Sequence, residues 1–115
     1  MAADKQLIIE ALKNAKETEG AVVFAIGDHY VQANSVSSVE MYVEAVSHHY
    51  HSAIDTGLES SFIKMGFLLT EGGNYNRKYF TADEAAIGVL ADDMMKIFNE
   101  LYRSDINLPF EVTEV

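Results

Sequence analysis

Histidines are the residues of this chain whose type and spacing come nearest to chemistry. His48, His49 and His51 crowd one short stretch, with His29 upstream and Asp55 a little downstream. Imidazoles and a carboxylate are ordinary zinc ligands, and in an extended segment His49 and His51 point to one face. His48 and His49, however, alternate to opposite faces, and a closed zinc site without thiolates needs four converging ligands. The triplet follows no recognised ligand spacing. These are read as surface or rim histidines at a strand end. No metal and no other cofactor is expected, and a chelator is expected to leave the melting temperature where it was.

The other candidate groups are weaker still. Carboxylates pair at Asp83-Glu84 and Asp92-Asp93. Adjacent helical side chains diverge by about 100°, so neither pair converges on one substrate atom. Asp83 and Glu84 suit the positive end of a helix, while Asp92 and Asp93 read as solvent-facing with Lys96 as an exposed partner. Gly72-Gly73 lacks the lysine and the strand–glycine–helix order of a phosphate loop. Arg77 and Lys78 read as a small basic spot on a solvated hairpin. No serine stands in a nucleophile elbow, and the chain contains no cysteine. The expectation is that this is not an enzyme and has no catalytic residue.

What is left is surface. Tyr30, Tyr42, Tyr50, Tyr75 and Tyr79 are spread through the extended segments, and tyrosine joins apolar area to a polar tip, as an interface or peptide groove requires. They are the candidate partner-binding residues. The same five equally suit the roof of a sheet at its edges. Met41, Met65, Met94 and Met95 are soft enough for an adaptable surface, but each also fits core spacing.

The elements that must position these groups follow from periodicity. Asp4 to Glu19 carries Leu7, Ile8, Ala11, Leu12 and Ala15 on one helical face, with Gly20 placed to end it in a left-handed cap. Ala21 to Ala33 reads as a hairpin turning at Gly27-Asp28. Val39 to Tyr50 alternates Val39, Met41, Val43 and Ala45 against Glu40, Tyr42 and Glu44, which favours a strand, although helical spacing also fits. Asp55 to Met65 is a short helix with Leu58, Phe62 and Met65 on its apolar line, stopped by Gly66. Phe67–Leu69 and Tyr75–Phe80 form a second hairpin across Gly72-Gly73-Asn74. A long helix from Thr81 to Arg103 starts with Thr81 three residues before Glu84, the spacing of a capping box. Its wide apolar stripe, including Leu90 and Phe98, must lie on a sheet. The tail after it is broken by Pro109, and Leu108, Phe110 and Val112 allow docking or a short edge strand.

The order α-β-β-β-α-β-β-α makes one α+β domain over residues 1–115, an antiparallel sheet of about five strands with helices packed on it. Composition fits: 115 residues, 49% hydrophobic, net charge −10. Such a surface argues against nucleic acid, whose binders need basic patches. No run of about eighteen apolar residues exists, so no membrane span is expected. The start MAADKQLII lacks the basic end and apolar core of a signal peptide. A cytoplasmic, bacterial-type protein is expected.

The segments YVQANS…VEMYVEAVSHHYH, LESSFIKMGFLLTEGGNYNRKYFTADEAAIGVLADDMMKIFNELY and LPFEV resemble the type III secretion chaperone-like (TY-Chap) domains. The likeness rests on a Tyr-Val-Gln strand, a Glu-Ala-Val-Ser strand and a short helix ending at Met65-Gly66-Phe67. It continues through an Asn-aromatic-x-Arg strand at Asn74, Tyr75 and Arg77, or at Asn76 with its neighbours, and a last helix opening Asp-x-Ala. Met65 and Phe67 stand where the family often shows leucine and tryptophan. The resemblance implies a homodimeric, non-enzymatic module that presents apolar sheet or helix surface to an extended segment of a partner protein. A small acidic inhibitor or immunity-type protein that caps a basic partner is the alternative. A metal enzyme built on the histidines is a more distant third.

Overall fold

The computed structural model describes residues 3–48, 54, 56–69 and 73–115. Helix α1, Lys5–Thr18, opens where the Asp4 carboxylate accepts from the backbone N–H groups of Gln6 (2.9 Å) and Leu7 (3.3 Å). It buries Ile8, Ala11, Leu12 and Ala15. At its end the left-handed residue is Glu19 (φ 52°), one position before the expected Gly20. Gly20 instead donates its N–H to Ala15 at 2.9 Å, as the residue after a left-handed cap does.

Strands β1 (Ala21–Ile26), β2 (His29–Ser37) and β3 (Glu40–Ala45) form an antiparallel meander. Gly27 supplies the positive φ, 59°, of the first turn. Strand β3 stops at Ala45, short of the expected Tyr50, and His48 lies in a turn. His49, Tyr50, His51, Asp55 and Gly72 lie outside the described residues. Helix α2 is Leu58–Lys64, later in starting than expected, and buries only Phe62. Gly66 (φ 86°) turns the chain into β4 (Leu68–Leu69), which pairs with β5 (Tyr75–Phe80).

The long helix departs from expectation at both ends. Thr81 does not cap it: its N–H still bonds to Val39 O at 2.8 Å as the last rung of the sheet, and its side chain is fully buried. Asp83 takes the role, accepting from Ala86 N–H at 2.8 Å, and α3 runs Glu84–Lys96. The chain then continues through a π-helical turn, Ile97–Leu101. The tail forms a strand, β6 (Phe110–Glu114), antiparallel to β1. The sheet therefore has six strands rather than about five, in the order β4-β5-β3-β2-β1-β6. Phe110 is the reason: it buries against Phe24 (ring centroids 6.1 Å) and Phe98 (5.8 Å), pinning the tail to an edge that β1 would otherwise leave bare.

The core lies between one sheet face and α1 and α3. Val22, Phe24, Val31, Ala33, Met41, Val43 and Tyr75 come from the sheet and Leu90, Met94, Ile97 and Phe98 from the long helix, all fully buried. Rings link across it in a continuous series. Tyr79 meets Phe67 (6.1 Å), Phe67 meets Phe62 (5.5 Å), Phe62 meets Tyr102 (5.7 Å) and Tyr102 meets Phe98 (6.3 Å). No described helix is long and apolar enough to cross a membrane.

Candidate functional site

Because side chains alternate, the face away from α1 and α3 can be read from the pairing registers. One row across it runs Thr113–Val23–Gln32–Glu44–Asn76–Leu68, and the next Ala21–Asn34–Tyr42–Lys78. Glu111, Ala25 and Tyr30 line up on one flank, Glu40 and Phe80 on the other. Over β1 and β2, Ala21, Val23, Ala25, Tyr30, Gln32 and Asn34 contribute no charge, on a chain whose net charge is −10, while β3 and β5 bring Glu40, Glu44 and Lys78. Phe80 and Leu68 stand 70% and 68% exposed at its β5–β4 end. A weakly charged field with aromatic and amide groups is the composition of a protein interface.

The five candidate tyrosines divide. Tyr42 is exposed and Tyr30 half-buried on this open face. Tyr75 and Tyr79 are a correction, because both point the other way and are buried. Tyr75 stacks on Phe62 at 4.1 Å, and Tyr79 donates its hydroxyl to the Asp93 carboxylate at 2.7 Å. The shared strand alternates, so Tyr75 and Tyr79 cannot join Tyr42 unless a register shift turns the strand over. Tyr50 lies outside the described residues.

Tyr30 is held rather than loose. Asn74 donates its side-chain amide to the Tyr30 hydroxyl (2.9 Å) and to Glu44 (3.2 Å), while accepting from the Ser47 N–H (3.0 Å). Ser47 donates to Gly73 O at 2.7 Å, and the Asn76 amide donates to Asn74 O at 2.6 Å. This knot joins β5 to the ends of β2 and β3 and fixes the rim of the open face. Gln32, Asn34 and Asn76 were not among the sequence candidates. For Gln32 and Asn34 the available signal is their alternation with Val31 and Ala33 along β2, and Asn76 on β5 has no such signal.

Inside, the Arg77 guanidinium sits 4.1 Å over the Tyr79 ring, 3.4 Å from Asp93, and donates to Met65 O. Asp93 is thus drawn inward instead of facing solvent, and Asp92 pairs with Lys5 at 2.7 Å rather than with Lys96. Burial first, and then the neighbouring Asp93, push the Tyr79 phenol far above its ordinary value. Burial does the same to Tyr102, whose hydroxyl donates to Val46 O at 2.6 Å. This cluster ties α2 and α3 to β5 and is structural.

His29, among the candidate metal residues, meets both a ring and a hydroxyl. Its ring stacks on Tyr102 at 4.9 Å and its Nδ1 lies 2.7 Å from Ser104 Oγ. His29 and Tyr102 border a cleft of about 450 Å³, beside the π-helical turn, with Glu100, Arg103, Ser61 and Leu58 in its walls. Among the described residues no group of three or more metal-ligating side chains converges.

No family model matches the chain, and neither a curated protein nor a solved structure does.

Proposed function

We propose that this chain is a non-enzymatic protein-binding module of the type III secretion chaperone-like kind, which presents the open face of its sheet to an extended segment of a partner protein. The observation that carries the reading is that face: six strands wide, uncharged over β1 and β2 and covered by no described helix. The element order up to α3, α-β-β-β-α-β-β-α, is the one the sequence resemblance implies. Homodimerisation belongs to the same proposal.

The net charge of −10 favours a second reading, a small acidic protein that caps a basic partner. Salt separates them. Charge-driven capping weakens steeply with ionic strength, whereas capture through an apolar face weakens little.

The test is selection of binders from a displayed random-peptide library, followed by Val23→Glu and Tyr42→Glu, both on the open face. Selected peptides are expected to lose binding to each variant while both variants keep the parent's fold. Peptides indifferent to both substitutions would overturn the assignment of the face.

A further inference from the structure

The two edges of the sheet differ. At one, β4 spans two of the described residues, which pair with Asn76 and Tyr75. At the other, β6 is five residues long, carries no bulge and no proline, and pairs on one side only, with β1. Glu111, Val112, Thr113 and Glu114 are all exposed. Folded proteins ordinarily protect such an edge by shortness, bulges, proline or charge. Of these devices β6 has only charge, and its charges are all negative.

The backbone groups that face outward can be identified. The N–H of Val115 bonds to Ala21 O at 2.9 Å. In an antiparallel ladder alternate residues bond to the same neighbour, so Thr113 and Glu111 also direct their backbone groups to β1. Val112 and Glu114 direct theirs away from it. Among the described residues no strand receives them.

We infer that β6 is a strand-addition site for a basic, extended segment of a partner protein, which pairs with the outward backbone groups of Val112 and Glu114. Glu111, on the open face, and the net charge of −10 choose the occupant, while Glu114 lies on the opposite face, where the Asn14 amide donates to it. A second copy would bring the same acids to the edge and a chain of net charge −10 with them, so this edge disfavours self-pairing. A segment alternating lysine or arginine with β-branched residues puts its cations on one face, meets opposite charge at Glu111 and extends the sheet to a seventh strand. The inference rests on the protein-binding reading and gives its partner a chemistry and a register.

The probe is a blocked peptide alternating lysine and valine, compared with its glutamate–valine counterpart and with a copy N-methylated on alternate residues, in fluorescence anisotropy against the full chain. The lysine peptide is expected to bind, with affinity falling as salt rises, and the other two are not. Val112→Pro removes one outward donor and leaves the bonds of Glu111 and Thr113 to β1 in place, since proline is tolerated on an edge. It is expected to weaken binding about tenfold with melting little changed. Glu111→Lys, a surface change that does not touch the ladder, is expected to weaken it several-fold. Equal binding of lysine and glutamate peptides, or binding indifferent to both variants, overturns the inference. Val112→Pro leaves Val23 and Tyr42 untouched, so peptides selected on the open face test the broader reading separately.

Discussion

Tyr79 and Tyr102 are neutral phenols in the folded protein at every pH it will ordinarily meet, because burial raises both above the free value near 10. The linkage has a definite sign. In the unfolded chain both ionise at about pH 10, while the folded protein still holds their protons. Their contribution is therefore intact below about pH 10 and lost progressively above it. Urea midpoints are expected to stay level from neutral pH to about 9 and then fall. In Tyr79→Phe and Tyr102→Phe the alkaline fall should be shallower. Each of these variants also loses a hydrogen bond, to Asp93 or to Val46 O, which at neutral pH costs about 1 kcal/mol. An alkaline limb unchanged in both variants would mean that other groups set it.

At the scale of elements, the long helix gives the plainest test. Leu90 and Phe98 are fully buried, so Leu90→Ala or Phe98→Ala should cost about 2–5 kcal/mol, through lost transfer energy and the cavity left behind. Asp92→Ala removes an exposed ion pair with Lys5 and should change stability by less than about 0.5 kcal/mol. Equal shifts at all three positions in urea melts would contradict the helix orientation. At the end of α1, Glu19 holds a left-handed conformation that a side chain disfavours, so Glu19→Gly should stabilise by about 0.5–1 kcal/mol. A thermal melt shifted downward would count against that account. The α+β class, the order of elements up to α3 and the core faces of α1, β3 and α3 were legible, because burial imposes its period on the sequence. Element ends were less so, since caps depend on where the chain turns. Thr81 has the spacing of a cap, yet a single tertiary hydrogen bond to Val39 keeps it in the sheet. Gly20 has the composition of a left-handed cap, yet it accepts the close approach of Thr18 Oγ1, 3.0 Å from where its Cβ would be. Of the candidate site, the polar side of β2 could be read from the alternation. The inward turn of Tyr75 and Tyr79 could not, because the sequence ran polar and aromatic residues together there: NYNRKYF offers no apolar row to fix the register.

For the whole molecule, the proposed homodimer predicts a light-scattering mass of twice the 12.8 kDa chain at micromolar concentration. A mass of one chain under those conditions would refute it. With a net charge of −10, self-association should strengthen as salt is added, since like charge repels at long range and salt screens it. One further property follows from the pairing of β6 with β1. Ile26 and Phe110 are neighbours in the sheet but lie at nearly opposite ends of the chain. Closing so long a loop gains little until the rest of the sheet exists to receive it, so this pairing forms late. During synthesis β1 waits as a bare edge until the last strand emerges, and that interval is when the nascent chain is most open to a wrong neighbour. Phe110→Ala should accordingly speed unfolding far more than it slows refolding in stopped-flow experiments, the mark of a contact made after the rate-limiting step.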